Sequence, residues 1–244
     1  FEGSIENAWN EYFTYGGLPL ILTRKSDESK SKYLKDLFEK TYLDDVIQRN
    51  GLKKENVIET VVDILASSVG SLTNPLNIAN TFNSKGNRGI TDKTVSNYID
   101  YLRDAFILNK AIRYNVKGRK YVGSPFKYYF TDIGLRNARL NFRQQEENHI
   151  MENILFNELL VRGYNVDVGV VEVRKNAKEG SGFKKLEIDF VCNRGNQRYY
   201  IQSAFDMSVQ QKFIQEQEPL IKTNDSFKKI IVVKENIKAW RNEQ

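Results

Sequence analysis

The sequence has 244 residues, 40% of them hydrophobic and 28% charged, a balance that excludes a disordered chain and gives a soft expectation of two domains. No apolar run approaches the roughly 20 residues of a membrane helix, no signal peptide is visible, and the first residue is Phe1 rather than Met, so the chain reads as a fragment of a longer one. The single cysteine, Cys192, excludes an internal disulfide framework and agrees with a reducing cytoplasm; the single histidine, His149, excludes His-rich zinc sites and disfavours a Ser-His-Asp triad; and the net charge of +6 favours an anionic partner such as nucleic acid.

Residues 4–15 carry a helical pattern that ends at Gly16-Gly17, and Leu18-Pro19 then breaks the chain direction, because proline disfavours helix in the residue before it. Residues 23–31 read as a polar connector. Over 33–50, Leu34, Leu37, Phe38, Tyr42 and Val46 recur at helical spacing, with Gly51 placed to close the helix. A further helix over 54–69 puts Val57, Val61, Ile64, Leu65 and Ser68 on one face. Residues 74–82 begin near a proline and offer Leu76, Ile78, Ala79 and Phe82 for packing. After a turn over 83–90, Thr91 is placed to N-cap a helix striped by Val95, Tyr98, Ile99, Leu102 and Phe106. A β-like hairpin follows over 107–131. Helix, turn, helix and hairpin in this order describe a winged helix-turn-helix, with the second helix in the recognition position.

A short helix starts at Asp132 and ends near Asn141, and 143–148 reads as a linker. The second half opens with an amphipathic helix over 149–163 closed by Gly163. It continues with a strand over 164–175, a loop containing Gly180 and Gly182, strands over 185–193 and 199–205, a helix over 208–223 and a strand over 228–235. Residues 237–244 read as a frayed tail. The expected fold class is α+β: a helical connector over 1–50, a winged-helix-like part over 51–142, and a mixed α/β part over 143–244 with the order α-β-β-β-α-β.

Several stretches resemble, in order, the large group of prokaryotic AAA-type ATPases whose C-terminal half is a domain of unknown function. They are Tyr15-Gly16-Gly17-Leu18-Pro19; Asp45-Val46-Ile47-Gln48-Arg49; Thr94-Val95-Ser96-Asn97-Tyr98 with Leu102; residues 127–136; Glu152-Asn153 with Glu158-Leu159; and Glu187-Ile188-Asp189-Phe190-Val191 with Tyr200-Ile201-Gln202. The resemblance implies a preceding ATPase domain that uses ATP and Mg²⁺, then a winged helix, then a domain similar to restriction-endonuclease-like PD-(D/E)XK folds. This segment has no G-x-x-x-x-G-K-[ST] phosphate loop and so binds no ATP by that mechanism. Its own ATPase domain becomes an implied partner.

Nucleases of that type need acids on the first helix and on a strand, then an acid-x-lysine on the adjacent strand, to hold Mg²⁺ and prime water. Here the corresponding positions hold Glu152, Asp189 and Gln202, with Ala204 where lysine would stand. A neutral amide replaces a full negative charge, and the cation is missing. Lys184, Lys185 and Lys212 are candidates for a displaced lysine, Lys212 the best placed. Glu187 alternates with Asp189 on one strand face, and an ordinary role for Asp189 is pairing with Lys185. The expectation is a degenerate, non-catalytic site with no metal; Glu152 and Asp189 are the ligands if one binds, and an active Mg²⁺-dependent nuclease is the alternative.

The hairpin carries Lys110, Arg113, Lys117, Arg119, Lys120 and Lys127, has no Asp or Glu over 105–131, and interleaves Tyr114, Tyr121, Phe126, Tyr128 and Tyr129. Cations among aromatics suit phosphates and bases, so these six are the candidate nucleic-acid contacts. The recognition-position helix adds Lys93, Asn97 and Arg103 but also Asp92, Asp100 and Asp104, which oppose reading of a major groove. Docking of a protein partner is the competing use of the same module. No membrane partner is expected, and the setting is cytoplasmic.

Overall fold

The computed structural model describes residues 3–84, 89–143, 146–175, 181–205 and 210–234, with the side chains of 210–213 outside that description. Helix α1 (Ile5–Tyr15) starts where the Ser4 hydroxyl accepts from the Asn7 N–H, and it stops at Gly16, whose φ of 75° ends the helix. Helix α2 (Asp27–Leu37) begins inside the stretch expected to be a polar connector. A reciprocal capping box between Ser26 and Ser29 starts it, with Asp27 and Glu28 in the first turn. These polar cues stabilise a helix start without apolar periodicity, so hydrophobic spacing alone misses it. The helix runs through a π-helical stretch (Phe38–Leu43) into α3 (Asp44–Arg49), and Gly51, at φ 58°, follows its end.

Helices α4 (Glu55–Ser67), α5 (Pro75–Ser84) and α6 (Asp92–Asp104) come next, then the hairpin strands β1 (Leu108–Asn115) and β2 (Lys120–Phe130). The expected cap forms, with the Thr91 hydroxyl accepting from the Thr94 N–H. Thr73, between α4 and α5, makes an antiparallel bridge to Phe126 of β2 through two 2.8 Å backbone bonds. Helices α7 (Ile133–Arg139) and α8 (Glu147–Val161) precede β3 (Asn165–Arg174), β4 (Phe183–Arg194), β5 (Gln197–Ala204), α9 (Gln210–Ile221) and β6 (Lys228–Val233). The fold is α+β. Its mixed sheet has the order β2-β1-β3-β4-β5-β6; β1 and β3, like β5 and β6, run parallel, and β3, β4 and β5 are antiparallel neighbours. The expected order α-β-β-β-α-β is α8-β3-β4-β5-α9-β6. The centre of the expected turn (85–88), Gly180 and the tail over 237–244 lie outside the described residues.

The chain divides into two compact units, one of Phe1–Ile112 with Gly123–Val161 and one of Arg113–Val122 with Arg162–Gln244. The hairpin is thus divided between them, stems in the first and tip in the second. This differs from the three-part division at 50 and 142 in two ways, each with a polar cause. Helix α8 belongs to the first unit because Asn153 accepts from the Phe130 N–H at 2.8 Å and donates to its carbonyl at 2.7 Å, while Asn157 donates to the same carbonyl. Residues 1–50 join the helices after them because α7 pairs the backbone ends of both. Asn137 donates to the carbonyls of Phe13 and Thr14 at the end of α1, and the buried Arg136 donates from Nε to the Ala66 carbonyl at the end of α4, at 2.9 Å. Asp132 caps α7 at the Leu135 N–H and also accepts from the Gly17 N–H at 2.8 Å. Burial pushes the Asp132 carboxyl above its ordinary range, and the backbone N–H groups of Gly17, Leu135 and Gly134 hold it back.

Close approach explains two glycines of the resemblance. A Cβ on Gly134 would lie 2.0 Å from the Tyr15 carbonyl oxygen, and one on Gly16 would lie 2.2 Å from Asp132 Oδ1. The core of the second unit packs Val116, Val171, Val173, Ile188, Val191, Tyr200 and Leu220. Cys192 on β4 is fully buried, its thiol pushed up to about 12 by burial, in keeping with a core residue. Among the described residues no helix is long and apolar enough to cross a membrane.

The Gly134 contact sets a test. Gly134→Ala should destabilise the protein by about 1–3 kcal/mol or more, the usual cost of overpacking. Gly123→Ala, whose added methyl meets nothing within 4 Å, should change stability by less than about 0.5 kcal/mol. Urea denaturation of the two variants beside the parent measures both.

Candidate functional site

The strand pair β4–β5 brings two of the expected nuclease positions together. Next to the register pair Phe190/Ile201, the Asp189 N–H donates to Gln202 Oε1 at 3.3 Å, and the Ser203 N–H donates to Asp189 Oδ2 at 2.8 Å. Both side chains are buried and engage the backbone of the neighbouring strand. Ala204 is buried on β5, and Lys184 and Lys185 pair with Glu218 and Glu172. The expected Asp189–Lys185 pair gives way to a Lys185–Glu172 pair across β3–β4, while Asp189 accepts from the Ser203 N–H. The side chain of Lys212 lies outside the described residues. Among the described residues no three His, Cys, Asp or Glu side chains group as a metal site. Among the described residues, Asp189 and Gln202 bring one carboxylate and one neutral amide, both bonded to backbone N–H groups, where Mg²⁺ prefers several anionic oxygens.

Glu152 lies in the first unit, on α8, and its surroundings there are specific. Its Oε1 accepts from Lys127 Nζ at 2.8 Å and from the Tyr129 hydroxyl at 2.5 Å. The Tyr129 ring stacks on Phe156 with centroids 4.2 Å apart. His149 lies on the same helix, its Nδ1 3.9 Å from Glu152 Oε2. The helix acid is thus neutralised by a lysine from β2.

Lys127 corrects the list of nucleic-acid contacts. It is 3% exposed and ion-paired to Glu152, so its ammonium is not offered to a surface phosphate. Arg113 is also buried, in register with Val168 of β3. The Lys110 ammonium lies 3.7 Å over the Phe126 ring, its pKa lowered by burial. The stem cations are therefore taken up locally, Lys127 by a carboxylate, Lys110 by a ring and Arg113 by burial.

The tip behaves differently. Asn115 Oδ1 accepts from the Gly118 N–H at 2.7 Å and shapes the turn, and Arg119 takes φ 51° within it. Lys117, Arg119 and Lys120 are all exposed. The first two line a cleft of about 400 Å³ within the second unit, together with Arg198, Tyr200, Asn224 and Phe227. Arg198 is held by a 2.8 Å bond from Nε to Asn193 Oδ1, and its guanidinium lies 5.1 Å from the Tyr114 ring and 5.3 Å from the Phe227 ring. The cleft also contains Asp225, whose charge is met locally: the Tyr200 hydroxyl donates to it at 2.7 Å and Lys229 Nζ lies 3.3 Å from Oδ1. Burial, then the bond to Asp225, pushes the Tyr200 phenol up, so it remains a donor.

Arg198, Asn224 and Phe227 are absent from the sequence-derived contacts. No local pattern marks them; they sit after a turn and in a loop, and only the strand pairings bring them to one cleft with 116–119.

Residues 6–146 match a family described as a domain of unknown function, DUF8612. The chain is 32% identical over 229 residues to an uncharacterized protein of Haemophilus influenzae, covering 93% of this chain and 53% of that protein. It is 25% identical over 206 residues to an uncharacterized protein of Methanocaldococcus jannaschii, covering 83% of this chain and 43% of that one. The chain spans about half the length of the curated relatives it matches. No solved structure matches it.

Removing one partner of a buried ion pair leaves an uncompensated charge, at a cost of about 3–5 kcal/mol. Lys127→Met should lose stability on that scale, and adding Glu152→Gln should recover a substantial part of it. Denaturation midpoints of the single and double variants give the comparison; equal stability of the two would refute the buried-pair account.

Proposed function

The chain belongs to the DUF8612 family, and from that premise we propose that it is the non-catalytic part of a cytoplasmic AAA-type ATPase that binds nucleic acid and couples it to ATP hydrolysis in another domain. ATP and Mg²⁺ belong to that other domain in this reading. The order α4-α5-α6-β1-β2, with the Thr73–Phe126 bridge, supports a winged helix for the first part. The chain order α8-β3-β4-β5-α9-β6 supports a restriction-endonuclease-like fold for residues 143–244, with α8 falling in the first compact unit. The coverage of only about half of each relative is compatible with a further domain.

The observation that carries the nucleic-acid reading is the cationic cleft: Lys117 and Arg119 of the hairpin tip face the same space as Arg198. Cations that neutralise phosphates release counterions, which gives affinity without a need for sequence reading. The exposed face of α6 opposes the alternative of a groove-reading helix, since Asp92, Asp100 and Asp104 stand beside Lys93 and Arg103, and Asp100 takes up Arg103 at 2.8 Å. The non-catalytic reading follows from the Asp189–Gln202 pair and from Glu152 being engaged by Lys127.

Fluorescence anisotropy with labelled DNA at about 50 mM salt should register binding that weakens steeply as salt rises. Replacing Lys117, Arg119 and Lys120 together by Ala should reduce the slope of log K against log salt by about 2–3. Incubation with Mg²⁺ should yield no cleavage, with Asp189→Ala indistinguishable from the parent. Absence of binding at low salt, or loss of protein assembly with DNA binding unchanged in the triple variant, would turn the reading toward a docking module.

A further inference from the structure

We infer that the cleft of the second unit seats one unpaired nucleotide, so that the preferred ligand is single-stranded nucleic acid rather than duplex. This rests on the nucleic-acid reading above and specifies its substrate. Three features inside one concave space carry it. Lys117 and Arg119 stand at the rim and are exposed, placed for backbone phosphates. Phe227 is 41% exposed at the same cleft, with the Arg198 guanidinium 5.3 Å from its ring centroid and the Tyr200 ring perpendicular to it at 6.0 Å. Asn224 is exposed and held at φ 59° on the turn between α9 and β6, offering an amide with both a donor and an acceptor.

Phosphate cations, an aromatic platform and an amide within one small cleft match the needs of a nucleotide whose base is unstacked. A base has a π-face for Phe227, and its edge carries donors and acceptors for Asn224. A paired base in a duplex presents neither its face nor its Watson–Crick edge. Arg198 is fixed from two sides, by Asn193 and by the rings of Tyr114 and Phe227, so the cation beneath the platform is pre-organised. Tyr121, 65% exposed on the hairpin tip, donates to Asp167 at 3.3 Å and adds a second aromatic surface in this unit. Asp225 does not defeat phosphate binding, because Lys229 lies beside its carboxylate and Tyr200 donates to it.

The test compares a labelled single-stranded oligonucleotide with a duplex of the same length, by anisotropy at fixed salt, for the full chain and three variants. The parent should bind the single strand at least about tenfold more tightly, the scale of one stacked base. Phe227→Leu, which keeps apolar bulk but removes the ring, should lose about tenfold on the single strand and nothing on the duplex; Phe227→Trp should retain single-strand affinity. Lys117→Ala with Arg119→Ala should weaken both ligands alike. Equal affinity for the two ligands, with Phe227→Leu matching the parent, overturns the inference while a charge-variant effect preserves nucleic-acid binding itself. No binding of either ligand overturns both. Thermal melting of each variant checks that the fold is kept; if Phe227→Leu melts early, Asn224→Ala replaces it, with a selective single-strand loss expected and no loss counting against.

Discussion

A helix ends with carbonyl groups that have no partner within it, and the first unit is organised around pairing them. Helix α7 does this for two other helices at once. Asn137 donates to the terminal carbonyls of α1 and Arg136 to that of α4, while Asp132 starts α7 and catches the backbone where α1 has just ended. Such buried polar groups are costly unless matched, so the arrangement fixes position as well as contributing stability. Its geometry demands backbone contact, which is why Gly16 and Gly134 leave no room for a Cβ. Arg139 extends the same helix toward α4 through a bidentate contact with Asp63. The motif residues around Gly16 and Asp132 thus have a structural reason independent of any catalytic one.

The next constraint is the buried ion pair between Lys127 and Glu152, joined by the Tyr129 hydroxyl. Two charges taken out of water hold each other in place, and with Asn153 bonded to both backbone groups of Phe130 they bind α8 to β2. The consequence for chemistry is direct. A carboxylate that accepts from an ammonium and a phenol has its negative charge already compensated. In the other unit, Asp189 and Gln202 each serve the backbone of the opposite strand. Both expected acids therefore have structural work in their own units, which is consistent with the proposed loss of a nuclease function.

The second unit brings three cations, Lys117, Arg119 and Arg198, to one cleft. Exposure separates the hairpin residues into two sets: stems whose cations are buried or stacked, and a tip whose Lys117, Arg119 and Lys120 face outward. The cleft adds Arg198, held by rings and an amide, next to an aromatic that remains partly open. A pre-organised arginine beside a stacking surface loses little conformational freedom on binding, which favours a ligand that brings both charge and a flat face.

Much of the architecture is legible in the residues themselves. Apolar spacing of 3.6 or 2 marks most helices and strands, Thr91 declares a helix start, and Gly51 and Gly163 mark ends; the α+β class and the element order follow. The start of α2 escapes because its signal is a pair of serines rather than apolar periodicity. The adjacency of Asp189 and Gln202 is readable as well, because two strands joined by a tight turn have little choice of partner. What the sequence leaves open is the fate of charges brought together across long separations. Lys127 looks like a surface cation until Glu152, 25 positions away, buries beside it, and Arg198 has no local mark that ties it to Lys117 and Arg119. Local patterning determines which backbone forms, because hydrogen bonding and burial act over a few residues. Only the tertiary packing decides which charges are paired, which are exposed and which face one another, because electrostatics depends on distance in space and on the removal of water.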